Sequence, residues 1–214
     1  MLAELSRSFK VIRTSLTIWW NDWLPLATLN LGWILCLLTL VLGPPATFAI
    51  YRAAHMSVNR QDIYFRELVL LLRHDLLKSW LWLLVNLLIT MVIWLNLQFY
   101  TQFNAGWTVG LQFILLLIGA LWFALQVYAL PYLIEQKSFS LRQAFRNALF
   151  TVLASPVYSV VLICFVGFLV YAGIRFMFLF FLGLPCLVAV LGTCAVKERL
   201  ETFGVRQGDK ADRA

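Results

Sequence analysis

Two histidines and four cysteines are the side chains of this 214-residue chain best suited to metal ligation or proton transfer. Their spacing supports neither. Cys36, Cys164, Cys186 and Cys194 form no CxxC pair and lie in apolar stretches, where cysteine behaves as a small hydrophobe. No metal site and no cofactor are expected. His55 follows Arg52 by three residues. On a helix the two share a face and suit an anion or a lipid headgroup phosphate. His74 beside Asp75 fits the polar side of a surface helix. Asp62, Glu67 and Asp75 stand among Arg66, Arg73 and Lys78, which reads as solvated charge pairing.

The polar groups inside apolar stretches are amides: Asn30, Asn86, Asn96, Gln112 and Gln126. Interhelical hydrogen bonds, worth roughly 1 kcal/mol each, are their expected role. Asn30, Asn86 and Gln126 are the candidates for intramembrane polar contacts, and lining a substrate path is the sharper alternative. No phosphate-binding glycine loop, HExxH, nucleophile elbow or paired catalytic carboxylate occurs. The expectation is a protein that is not an enzyme.

The elements that carry these residues follow from composition. Hydrophobic residues make up 62% of the chain and charged residues 13%, against about 45–50% and about 25% in a soluble domain. That much apolar surface cannot be hidden in one core of this size. A soluble enzyme, a disordered chain and a secreted disulfide scaffold are excluded. The charge-free runs 23–51, 79–134, 147–174 and 176–196 hold 29, 56, 28 and 21 residues. A spanning helix needs about 20. The expected fold is an all-α, polytopic transmembrane helical bundle with five full spans, at 24–43, 80–100, 108–133, 152–172 and 176–196. Gly43-Pro44-Pro45 stops the first span, and a proline there can open a new helix. A short membrane helix at 46–58 follows. Helices must do the spanning, because lipid offers no partner for open backbone groups. Residues 1–200 then form a single membrane domain, with a flexible cytoplasmic tail at 201–214.

Basic residues set the threading. Segments 52–78 and 137–146 carry five and three Lys or Arg, and the loop 101–107 carries none. Basic loops stay cytoplasmic. With 24–58 going out and returning, sixteen basic residues lie inside and one, Arg175, outside. Both termini are then cytoplasmic. The net charge of +7 faces anionic lipid and not nucleic acid, so the lipid bilayer is the first partner expected. Leu2, Leu5, Phe9, Ile12, Leu16, Trp19, Trp20 and Trp23 recur at helical spacing. They predict an amphipathic interfacial helix over 1–23. Further cytoplasmic surface helices are expected after Asp62 and from Ser140, where Ser140-Leu-Arg-Gln143 is a capping-box pattern. The first apolar stretch is too long for a cleavable signal peptide.

Asn30-Leu-Gly-Trp33, Gly43-Pro-Pro-Ala-Thr-Phe-Ala49 and the helix opening at Asp62-Ile-Tyr-Phe65 resemble the YesL-like bacterial membrane proteins, a domain of unknown function. The likeness extends over about residues 8–200. It implies a helical protein of the bacterial inner (plasma) membrane, with an accessory role near carbohydrate uptake, and it brings no catalytic residues. The expected function is a non-enzymatic accessory or regulatory component of a transport or envelope system. Its partners would be membrane proteins such as an uptake system. A small transporter or lipid translocator is the alternative.

Overall fold

The computed structural model describes residues 2–64, 69, 72, 75–103, 106–136 and 138–204. Among the described residues there are nine helices and no strand. They are α1 (Leu2–Asn21), α2 (Trp23–Leu38), α3 (Gly43–Val58), α4 (Leu76–Tyr100), α5 (Gly106–Glu135), α6 (Leu141–Ala154), α7 (Pro156–Arg175), α8 (Met177–Phe181) and α9 (Leu184–Thr202). Most of the surface helix expected after Asp62, with Phe65, Arg66, Glu67, Arg73 and His74, lies outside the described residues, as does the tail beyond Gly204.

Prolines and small polar residues set many of the boundaries. Pro44 and Pro45 occupy the first positions of α3, where a missing amide proton costs nothing. Pro156 and Pro185 do the same for α7 and α9. Ser140 caps α6 by accepting from the Gln143 amide, as the capping-box pattern predicts.

Three helices, α4, α5 and α7, are long and apolar enough to cross a membrane. The expected five full spans are not confirmed, and two of the segments differ from single long helices. The span at 24–43 ends early: α2 stops at Leu38, and its 16 residues reach only about 24 Å. Leu40 takes a left-handed φ of 56° in the turn that follows. The span at 176–196 is not one helix. Gly183, at φ 106°, breaks it between α8 and α9. Pro185 favours the break, since it has no N–H and its ring crowds the preceding turn. The last turn and a half of α9 is also less apolar, because Lys197, Glu198, Arg199 and Glu201 lie in it.

α9 is the pole of the bundle. Residues from Cys186 to Val196 are almost all buried, and the helix packs on α1, α3 and α5. At the α5 crossing, Pro131 cannot donate to the Val127 carbonyl four residues back. Gly192 covers that carbonyl: a Cβ on Gly192 would lie 2.6 Å from Val127 O and 3.0 Å from Pro131 Cγ. α3 is buried along one face between α2, α4, α5 and α9.

α1 has three faces. Ser8, Val11 and Ser15 are its buried stripe, small enough for close packing on α9 and α7. The two ends are held by Arg7, 3.9 Å from Glu198, and by Trp19 Nε1, which donates to Gly183 O at 3.2 Å. The helix therefore runs antiparallel along α9. Part of the apolar stripe faces outward, with Phe9 58% exposed and Trp20 70%, while Ile12 and Trp19 pack on the core. Arg7, Lys10 and Arg13 form the third face.

Candidate functional site

Five helix ends meet in a polar collar at one end of the bundle. Asp75, at the N-cap of α4, is only 1% exposed. It accepts from Arg52 Nε on α3 at 2.9 Å and from Arg52 Nη2, and Lys78 Nζ lies 3.4 Å away. His55, one turn after Arg52, meets Glu135 at the end of α5, with 2.8 Å between Nε2 and Oε2. Asn59 Nδ2 donates to the His55 carbonyl at 2.9 Å. Lys197 of α9 donates to Val58 O and Asn59 Oδ1, at 3.0 and 3.1 Å. Arg52 and His55 thus share a helix face, but each faces a carboxylate from a different element. An external anion at that pair would have to displace Asp75 or Glu135. Asp75 is not a solvated charge, which corrects the surface reading of it.

Arg199 closes the collar between α9 and α7. It is 2% exposed. Its guanidinium stacks 3.6 Å from the Tyr158 ring centroid, and Nη1 donates to Ser155 Oγ at 2.9 Å. Its Nε lies 3.3 Å from Glu198 Oε2 without alignment for a hydrogen bond. Desolvated cation–π stacking contributes up to about 2 kcal/mol, and it compensates for the incomplete hydrogen bonding. Tyr158 OH donates to Ala195 O, and Tyr132 OH and Thr151 Oγ1 are 2.7 Å apart.

Beside the collar lies a groove of about 1190 Å³. The cationic face of α1 forms one wall, the end of α3 with Arg60 and Asp62 another, and Lys197, Glu198 and Glu201 of α9 the floor. Asp22, at the start of α2, accepts a hydrogen bond from Ser57 Oγ near the end of α3. The two ends of the α2–α3 hairpin therefore meet beside this groove.

The intramembrane amides separate into different roles. Asn30 is fully buried, and its Nδ2 donates to Phe180 O at 2.8 Å and Phe181 O at 3.2 Å. A continuous helix would have used those carbonyls at Leu184 and at Pro185, which has no proton to give. Asn30 thus staples α2 to the break between α8 and α9. Asn86 and Asn96 donate to their own helix, to Trp82 O and Val92 O, at 2.8 Å each. Gln112 joins α5 to Tyr100 O of α4 at 2.9 Å. Gln126 Nε2 is buried without a partner among the described residues.

Sequence reasoning missed Arg199, because it falls in a charged tail that looks solvated. The only signal was its place three residues after the end of a 21-residue apolar run. Arg60 and Asp22 were equally silent. Among the described residues no three His, Cys, Asp or Glu side chains converge as metal ligands would. The four cysteines are free thiols. No protein-family profile, curated protein or solved structure matches this chain.

Proposed function

We propose that this chain is a non-enzymatic component of the bacterial inner membrane that assists a transport or envelope system by packing against another membrane protein. The α4–α5 hairpin is the observation that carries the reading. None of the most apolar window of α4 is buried, and Leu84, Leu88, Met91 and Leu95 leave an open apolar face. Helices associate in lipid largely through side-chain packing, and this face offers a long, regular surface for it. The basic collar and both termini face the cytoplasm by the positive-inside rule. The YesL-like resemblance points to carbohydrate uptake as the system served. The test is purification in mild detergent with mass spectrometry of co-purifying proteins, together with a photo-crosslinking residue at Leu88. A discrete partner, crosslinked from Leu88, is expected. Recovery as a bare monomer with no crosslink overturns the proposal.

A small transporter or lipid translocator is the second reading, and the broken α8–α9 segment favours it. Interrupted helices are a recurring feature of transporter binding sites. Reconstituted liposomes should then show sugar uptake or lipid flipping that Asn30→Ala or Asn86→Ala reduces. No flux across a broad panel sinks this alternative.

A further inference from the structure

We propose that the groove between α1, the end of α3 and α9 binds the phosphate of an anionic phospholipid. This goes beyond the partner-binding reading and uses residues other than those of the open hairpin face. Its membrane placement is shared with that reading.

The charge state of the groove supports an anion. Lys197 is bonded to Val58 O and Asn59, and Arg7 faces Glu198. Lys10, Arg13 and Arg60 also line the groove and have no ion-pair partner among the described residues. Of the carboxylates there, Asp22 accepts from Ser57, Asp62 from Tyr64 OH at 3.3 Å, and Glu198 lies between Arg7 and Arg199. Glu201 alone among the described groove carboxylates is unengaged. Hydroxyl donors leave Asp22 and Asp62 their charge, so the groove sets five cations against four carboxylates, one of them also beside Arg199, and is positive on balance.

Arg60 supplies the second observation. α3 ends in a Schellman turn, with Gln61 N bonded to Met56 O at 2.9 Å and Arg60 N to Ser57 O at 3.0 Å. The residue at the left-handed position of that turn is usually glycine. Here it is Arg60, at φ 56°. A side chain held at a backbone position that disfavours it points to a use for the side chain, and this one lines the groove. The ligand is a lipid and not free phosphate because of α1. On that single helix, Lys10 and Arg13 flank the exposed Phe9 and Leu16. A headgroup phosphate and its acyl chains would meet adjacent faces.

The test uses the full chain in detergent, with phosphatidylglycerol or phosphatidylcholine added and binding read by native mass spectrometry and thermal shift. Phosphatidylglycerol should bind preferentially. Arg60→Gly should weaken that preference about fivefold, the effect of one basic residue at a lipid surface. It should not lower the apparent Tm of the lipid-free protein, because glycine suits the left-handed turn. The pair Lys10→Gln and Arg13→Gln should weaken binding at least as much, and it keeps the test open if Arg60→Gly misfolds. Arg146→Gln on α6, outside the groove, should leave binding unchanged. Equal binding by wild type and both groove variants overturns the proposal, as does an equal loss in Arg146→Gln. Inorganic phosphate alone stabilising the protein as much as phosphatidylglycerol overturns the lipid assignment.

Discussion

Asp75 and Arg199 are the two charged residues that the fold buries almost completely among the described residues. A buried carboxylate is stable only when its lone pairs are met, and Asp75 has Arg52 and Lys78 within 3.4 Å. Asp75→Ala removes the common partner of both cations. Losing one member of a fully buried pair costs roughly 3–5 kcal/mol. Arg52 is 31% exposed and can turn toward water, so about 2 kcal/mol is expected. The measurement is apparent Tm in detergent, with Arg52→Ala and the double variant completing a cycle. Additive losses would show that the two groups do not interact. Arg199 depends on shape as well as charge. Its planar fork stacks on Tyr158 and reaches Ser155 at 2.9 Å. Lysine keeps the charge but cannot stack in that way. Arg199→Lys should therefore lower Tm nearly as far as Arg199→Met. Tyr158→Phe, which keeps the ring, should lower it less than Tyr158→Leu. Full stability in Arg199→Lys would refute the stacking account.

At the scale of elements, the helices are held together where their backbones are interrupted. Pro131 frees one carbonyl on α5, and Gly192 brings α9 against it. Pro185 and Gly183 free two more, and Asn30 takes them. Gly192→Ala would place a methyl 2.6 Å from Val127 O, a contact that only backbone movement relieves. A loss of about 1–3 kcal/mol is expected, read as a fall in Tm that Gly167→Ala, with open space around it, does not share. The same interruptions mark how far the sequence could be read. Charge-free runs, prolines and the Ser140 capping pattern placed the start of α3, the long hairpin and the cap of α6, because backbone chemistry acts locally there. The break at Gly183 was hidden inside a 21-residue apolar run. Hydropathy reports how well a segment tolerates lipid, and it is insensitive to whether the helix within it is continuous. Asn30 was legible as an intramembrane amide, but its partners are about 150 residues away, and no local pattern encodes such a distance. The apolar stripe of α1 was legible too. Its packing face was not, because Ser8 and Ser15 look polar in sequence and yet, by bonding their own helix at Glu4 O and Val11 O, they become small buried surfaces.

The whole molecule is polarised along α4 and α5. The charged collar gathers the ends of α3, α5 and α9 and the starts of α4 and α7. At the other end of the hairpin Phe99, Tyr100, Phe103 and Trp107 form a chain of ring contacts 5.1 to 6.3 Å apart. The 25 residues of α4 separate the two by about 37 Å. That matches a hydrocarbon core of about 30 Å with a polar layer on one side and an aromatic belt on the other. The α2–α3 hairpin reaches less far. Both of its ends lie at the collar, and α3 has only 16 residues. Its turn, Thr39-Leu40-Val41-Leu42, would then lie within the bilayer. The turn is fitted to that depth. Trp80 Nε1 donates to Val41 O at 3.1 Å, Leu42 N donates to Thr39 Oγ1 at 3.3 Å, and Leu40 is an apolar side chain 78% exposed. Backbone inside lipid must find such partners. Single cysteines in a chain freed of its own four give the test, using a membrane-impermeant maleimide on whole cells. Gln102→Cys at the aromatic end should label in intact cells. Gln61→Cys beside the collar should label only after permeabilisation. Leu40→Cys should label from neither side, although protein leaves it open, because lipid covers it. Labelling of Leu40→Cys as fast as Gln102→Cys would place the turn in water, and α2–α3 would then be a full crossing.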